Sequence, residues 1–226
     1  MCALYDRGMT MRQGDGTTDT KAARWPLRLA IVAAVIGLAT WGYFGWVRPN
    51  LVPRNFGIVE AGTLYRSAAL TPGATRRVHE RYGIKTIVDL GGFDKDPTGD
   101  RVASRTAAAL GIERYVFPLE GDGTGNPNAY VAALRVINDP SKRPVLVHCS
   151  AGAQRTSGCV MLYRDLVQGR PLEETYSEAK EYRHDPARNP RLMPFLTEHE
   201  RAIRQAYEHG GRVEGFPEVK LELTKP

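Results

Sequence analysis

Apolar positions along this chain fall into three patterns. Residues 29–47, LAIVAAVIGLATWGYFGWV, run for nineteen positions without a charge. Three shorter runs, IKTIVDL at 84–90, IERYVF at 112–117 and PVLVHC at 144–149, are dense in β-branched and aliphatic residues. Such near-continuous runs suit strands buried on both faces. Elsewhere the apolar residues recur at helical spacing: Leu172, Thr175, Tyr176 and Ala179, then Leu192, Phe195, Leu196, His199, Ile203 and Tyr207. Two further strands are predicted around the turn Ala61-Gly62. Thr71-Pro72 reads as a helix cap and first position, with Gly83 as its stop. Helices are also predicted from about Asp100 to Leu110, from Pro127 to Ile137 and from Thr156 to Gln168. Alternating strands and helices imply right-handed crossovers, hence an α/β fold whose central sheet is mainly parallel and flanked by helices.

The long apolar run changes the domain picture. With Leu27 and Arg28 added, at about 1.5 Å per helical residue, it spans roughly the 30 Å of a bilayer core. Trp25 precedes it, and Trp41, Tyr43, Phe44 and Trp46 crowd its far end, as interfacial aromatics do. It is too long for a signal h-region and lacks a small-residue cleavage site. The expected organisation is a disordered tail at 1–26, a single transmembrane helix at 27–47, a linker at 48–55, a folded domain at 56–211 and a C-terminal tail at 212–226. Arg12, Lys21, Arg24 and Arg28 precede the span; Arg48 and Arg54 follow it. Positive charge inside favours a cytoplasmic N-terminus, whereas a reactive thiol favours placing the domain itself in a reducing compartment.

Charge and cysteine content narrow the chemistry. A net charge of +6 favours anionic ligands or membrane surfaces but is too diffuse to indicate nucleic acid. Cys2, Cys149 and Cys159 are an odd, sparse set with no CxxC pair, so neither a disulfide framework nor structural zinc is expected.

Cys149 ends the third buried strand, where ligands of parallel sheets bind. The amides of residues 150–155 follow it, and a helix starts at once. Nested amides and helix N-termini attract phosphate. Gly152 lets the loop curl, and Ala151 and Ala153 keep bulk out of it. Arg155, six residues after the thiol, can grip two oxygens of a phosphoryl group. The same field favours the thiolate, a nucleophile aimed at phosphorus. Cys159, among apolar residues on the next helix, reads as core.

The stretch His148-Cys149-Ser150-Ala151-Gly152-Ala153-Gln154-Arg155-Thr156 resembles the HCxxGxxR[ST] signature of cysteine-dependent tyrosine and dual-specificity phosphatases. Asn55-Phe56-Gly57 with Gly62-Thr63-Leu64-Tyr65-Arg66-Ser67 is similar to the NFG…G-x-LYRS start of the compact bacterial and fungal group, so the likeness covers about residues 55–185. It implies a dual-specificity phosphatase-like fold and two-step chemistry without metal or cofactor. Cys149 would form a phosphocysteine. Arg155 would bind the phosphate, together with loop positions Ser150, Ala151, Gly152, Ala153 and Gln154. Thr156 would stabilise the thiolate, and His148 would hold the loop through hydrogen bonds. A carboxylic acid would protonate the leaving oxygen.

Family members carry that acid as an aspartate on a mobile loop some thirty residues before the cysteine. Here the region is Phe117–Asn126; Asp122, 27 residues ahead of Cys149, is the candidate, with Glu120 as the alternative. Asp89 and Arg66 read as structural, Arg66 pairing with a buried carboxylate or with backbone. None of Ser150, Ala151, Ala153 and Gln154 is charged, which favours a singly phosphorylated partner: a phosphorylated protein, above all a phosphotyrosine, or a small phosphoester. Arg183, Arg188 or Arg191 could supply charge from later helices, so inositol phosphates and phosphoinositides stay open. A phosphate-binding pseudophosphatase and a rhodanese-type sulfurtransferase are the other classes; an arginine six positions after the cysteine, followed by Thr156, fits phosphatases better.

Overall fold

The structure is a computed structural model describing residues 24–51, 53–221 and 223. Cys2 and most of the predicted N-terminal tail lie outside the described residues. In chain order the elements are helix α1 (Arg24–Gly42), helix α2 (Arg48–Leu51), strands β1 (Gly57–Glu60) and β2 (Leu64–Ala68), α3 (Pro72–Tyr82), β3 (Thr86–Asp89), α4 (Pro97–Ala109), β4 (Glu113–Val116), α5 (Pro127–Asn138), β5 (Val145–Cys149), α6 (Gln154–Gln168), α7 (Leu172–Glu181) and α8 (Leu192–His209). The chain divides into two compact units, Met1–Phe44 and Gly45–Pro226. The first unit holds α1. Within its run, Arg28–Gly45 has a mean hydropathy of 1.5 and leaves Leu29, Val35, Ile36 and Leu38 exposed. Among the described residues it is the one helix long and apolar enough to cross a membrane.

The second unit is the α/β domain. Its sheet has the order β1-β2-β5-β3-β4. β5 lies in the middle, parallel to both β2 and β3, and β4 is parallel to β3; only β1 runs antiparallel, as the partner of β2. The expected mainly parallel sheet flanked by helices is therefore the fold observed. All residues of β2, β3 and β5 are buried, the polar Arg66, Ser67, Asp89 and His148 among them. One face packs on α5, α6 and α8 through Val88, Val147, Tyr130, Leu134, Leu162, Leu196 and Ile203; the other packs Tyr65, Ile87 and Leu146 on Val78 and Ala107.

Helix boundaries follow their caps. Thr71 accepts from the Ala74 amide at 3.2 Å, and Gly83 closes α3 with φ of 67°. The helix predicted from Asp100 instead starts at Pro97. The Asp96 carboxylate accepts from the Gly99 amide at 2.9 Å, with proline in the first position, and this cap sets the start one turn earlier. After α8 the chain is irregular, but it is fastened. Asn128 of α5 accepts from the Val213 amide at 2.7 Å and donates to Val213 and Pro217 carbonyls.

Three strand ends meet at the centre of this sheet. β5 delivers Cys149 beside Ala68 of β2, and His148 beside Asp89 of β3. The loops leaving β2, β3, β4 and β5 therefore converge around one sulfur.

Candidate active site

The loop after Cys149 wraps its own sulfur. The Gly152 amide donates to Cys149 Sγ at 3.2 Å. Gly152 has φ of 68°, and a methyl there would lie 2.5 Å from the Ala68 nitrogen and 2.6 Å from the Ser67 carbonyl group. Only glycine fits a backbone pressed this closely on β2. The Ala69 amide donates back to Ser150 O at 3.3 Å. Among the described residues no side chain caps the N-terminus of α6, so its first amides stay available to an anion. Ala153 and Cys149 are buried, and Ser150 is exposed at the mouth.

Arg155 is divided between its two edges. Every hydrogen bond it makes among the described residues runs through Nη1. That nitrogen donates to Leu90 O at 3.0 Å, to Gly91 O, to Asp94 Oδ2 at 2.7 Å and more weakly to Leu119 O at 3.4 Å. The buried Nε has no partner there. A guanidinium fixed on one side and open on the other is preorganised for a two-pronged grip on phosphate.

The loop holding Nη1 has a buried foundation. Asp89, at the end of β3, pairs with Arg114 Nη2 at 2.6 Å and accepts from the Gly92 amide. Arg114 also donates to Ser104 Oγ at 2.8 Å and bridges to Asp100 at 2.6 Å. His148 sits beneath this loop: its Nε2 is 3.6 Å from Asp89, and a methyl on Gly92 would meet its ring at 2.9 Å. Burial holds the imidazole below its ordinary value against the opposing pull of Asp89. His148 thus props the β3 loop, while its Nδ1 has no partner among the described residues.

Two remote residues brace the cradle from the other side. Arg66, fully buried on β2, donates to Gly152 O at 3.0 Å and to Ser157 Oγ at 2.7 Å, and lies 3.7 Å over the Tyr182 ring. Burial lowers its guanidinium to about 10. Its partners are backbone, a hydroxyl and a ring rather than a carboxylate. Asn55, at φ of 52°, donates from Nδ2 to Ala151 O at 2.8 Å.

The loop after β4 carries both carboxylate candidates. Asp122 Oδ1 accepts from the Thr124 hydroxyl at 2.7 Å and its amide at 3.1 Å, and Oδ2 lies 3.2 Å from Arg191 Nη1. Partial burial acts to raise this carboxyl, but Thr124 and Arg191 outweigh it and hold it below its ordinary value. Glu120 points to solvent, and its backbone closes the turn with Thr124 and Gly123. Tyr130, fully buried on α5, donates to Gly123 O at 2.6 Å. The Thr156 hydroxyl is buried without a partner among the described residues. Burial pushes the Cys159 thiol up to about 12, which removes it from thiolate chemistry at neutral pH.

Asp94 and Asn55 were not among the expected site residues; Arg66 was expected to pair with a buried carboxylate or with backbone, and it pairs with backbone. Their one sequence signal was the Asn55 and Arg66 positions within the two similar stretches near the start of the domain. Among the described residues no His, Cys, Asp and Glu gather into a metal-binding group.

Attack by sulfur on phosphorus is the chemistry such a loop serves, and the class is that of the cysteine-based phosphatases. A family model described as "PTP-NADK: DSP-PTPase phosphatase fused to NAD+ Kinase" matches residues 59–191, more than half of the chain, and the chain belongs to that family. No curated protein matches it. Among solved structures, the core catalytic domain of the PP-IP phosphatase SIW14 from S. cerevisiae, in complex with citrate, is 21% identical with a TM-score of 0.55, over 71% of this chain and 95% of that one. TpbA from P. aeruginosa is 23% identical with a TM-score of 0.56, over 69% of this chain and 91% of that one. A cysteine-to-serine TpbA in complex with pTyr is 23% identical with a TM-score of 0.53, over 66% and 87%. These likenesses establish the shared fold.

Proposed function

We propose that this protein hydrolyses phosphomonoesters through a phosphocysteine on Cys149, with phosphotyrosine or another protein phosphoester as substrate. The observation that carries the reading is Arg155: Nη1 is saturated by protein oxygens, and the buried Nε edge is left for a ligand. In this mechanism the ester phosphate enters the amide ring of residues 150–155. The Cys149 sulfur attacks phosphorus opposite the leaving oxygen, and the P–O bond to that oxygen breaks. Asp122 gives the leaving oxygen its proton. Water, deprotonated by the same carboxylate, then attacks phosphorus and releases Cys149, whose departing charge the Gly152 amide stabilises, with the unpartnered Thr156 hydroxyl as a further donor. The uncharged side chains at Ser150, Ala151, Ala153 and Gln154 support a target that places one phosphate group in the cradle, and a TpbA fold relative has been captured with pTyr. A second reading, an inositol phosphate substrate, draws on the PP-IP phosphatase among the fold relatives.

The test is hydrolysis of an aryl phosphate by the full chain in detergent with excess chelator. Activity should persist in chelator and fall by about 10⁴-fold or more in Cys149→Ser. Activity that survives Cys149→Ser would overturn the mechanism. We further infer that residues 27–47 anchor the chain in a membrane as a single span, from the exposed apolar helix and its aromatic end. Release of the full chain from membranes by alkaline carbonate would count against this.

A further inference from the structure

The ion pair between Arg191 and Asp122 has no part in the mechanism as stated, and it opposes that mechanism. A carboxyl that must donate a proton is paired with a cation that keeps it ionised. The pair sits at the rim of the cradle. Arg191 is the residue immediately before α8, and its neighbour Leu192 presses on the acid loop and on α6 together. A methyl on Gly123 would lie 2.6 Å from Leu192 Cδ1 and 3.5 Å from the Gln154 backbone; one on Gly158 would lie 3.1 Å from the same Leu192 atom. The start of α8, the loop of Asp122 and the mouth of the cradle are thus in mutual contact.

The two partners are unequally held. Asp122 is anchored by Thr124 through its other oxygen, with 24% of its side chain exposed, whereas 73% of the Arg191 side chain is exposed. Arg191 can therefore leave without disturbing the loop. The cradle side chains offer no cation for a second anion. The other groups that surround Asp122 are Thr124 on its own loop and Tyr130 from α5, which also lies within electrostatic reach of Cys149 and Arg155.

We propose that Arg191 is a specificity-determining residue that binds a second anionic group on the substrate, a carboxylate or phosphate beside the scissile ester, and in doing so releases Asp122 to act as the acid. The proposal rests on the reading of Asp122 as proton donor. A substrate with such a group removes the cation from Asp122 and brings negative charge near it. Both changes favour the protonated carboxyl at the moment it is needed. A substrate without one meets an acid still ionised by Arg191. Proteins with acidic residues next to the phosphorylated one, and vicinal inositol phosphates, share this chemistry.

The experiment compares kcat/KM across pH for the full chain in detergent on a phosphotyrosine peptide with neutral neighbours, the same peptide with flanking aspartates, and vicinal against isolated myo-inositol phosphates. The wild type should prefer the more anionic member of at least one pair by about 10-fold. In Arg191→Gln the preference should collapse to about one. The anionic substrate should lose rate, and the neutral one should gain rate and hold it to higher pH. Arg191→Lys should restore part of the preference. Whichever pair shows the preference identifies the source of the anion. Equal losses on all substrates in Arg191→Gln, or an unchanged preference, would overturn the proposal. Calorimetric binding of both peptides to Cys149→Ser, with and without Arg191→Gln, is independent of turnover. Binding preference that depends on Arg191, in a wild type that turns over neither peptide, would sink the catalytic reading alone; absence of that preference would sink this one.

Discussion

Two loops flank the cradle, one after β3 and one after β4, and each brings an aspartate to it. They are built differently. The Leu90–Asp94 loop rests on the buried Asp89–Arg114 pair and on His148, and it offers Arg155 two backbone carbonyls as well as Asp94. The Glu120–Gly125 loop is held by a turn of its own, by Tyr130 and by an exposed arginine. The first holds a guanidinium through main chain and a carboxylate; the second holds its own aspartate between Thr124 and one exposed cation. Fixing a guanidinium costs nothing at the moment of reaction if it never has to move. Asp122, as the proton donor we propose, would have to approach, deliver and withdraw, so the restraint by Arg191 must be weak enough to break.

The sharpest way to test this contrast is to disable each aspartate in turn. Asp122→Asn should reduce kcat by about 10²-fold or more, most severely for esters with poor leaving groups. Asp94→Asn should cost about 10-fold, equally for good and poor leaving groups, since three carbonyls still hold Nη1. If Glu120→Gln shows the leaving-group dependence instead, the acid is misassigned. If Asp94→Asn shows it, the division between the two loops is wrong.

A smaller effect concerns acid. Burial lowers both His148, beneath the rigid loop, and His184, whose Nε2 lies 3.1 Å from the Tyr176 hydroxyl. The unfolded chain takes up protons at these sites near the ordinary value of 6.5, whereas the folded chain does so only at lower pH. Their contribution to stability is therefore whole above about pH 6.5 and declines as the pH falls below it. Asp122, lowered from 3.8, would weaken the fold only in stronger acid. Thermal unfolding measured from pH 7.5 to 5 should show a falling Tm. A Tm that rises toward pH 5 would contradict the neutral, buried state of both rings.

The sequence pattern made the sheet and the cradle legible for one reason: their information is contiguous. A short β-branched run such as PVLVHC suits a strand buried on both faces, and the loop from Cys149 to Arg155 carries its geometry in neighbouring residues. What holds Arg155 was hidden because it depends on strand order. Asp94 reaches it only because β3 lies beside β5, and Arg66 reaches Gly152 only because β2 lies on the other side. No spacing along the chain encodes those adjacencies. The start of α4 was missed for a more local reason, since the Asp96 cap precedes the first periodic apolar residue.

Gly152 has a consequence for how such a protein can change over time. The height of the sulfur above the sheet is fixed by main chain resting on main chain, at Ser67 and Ala68. Apart from Arg66 and Asn55, whose side chains brace the loop, this contact does not depend on which side chain stands at a given core position. The loop is in effect insulated from drift in the hydrophobic interior. Sequences can diverge widely around it while the reacting atom keeps its place.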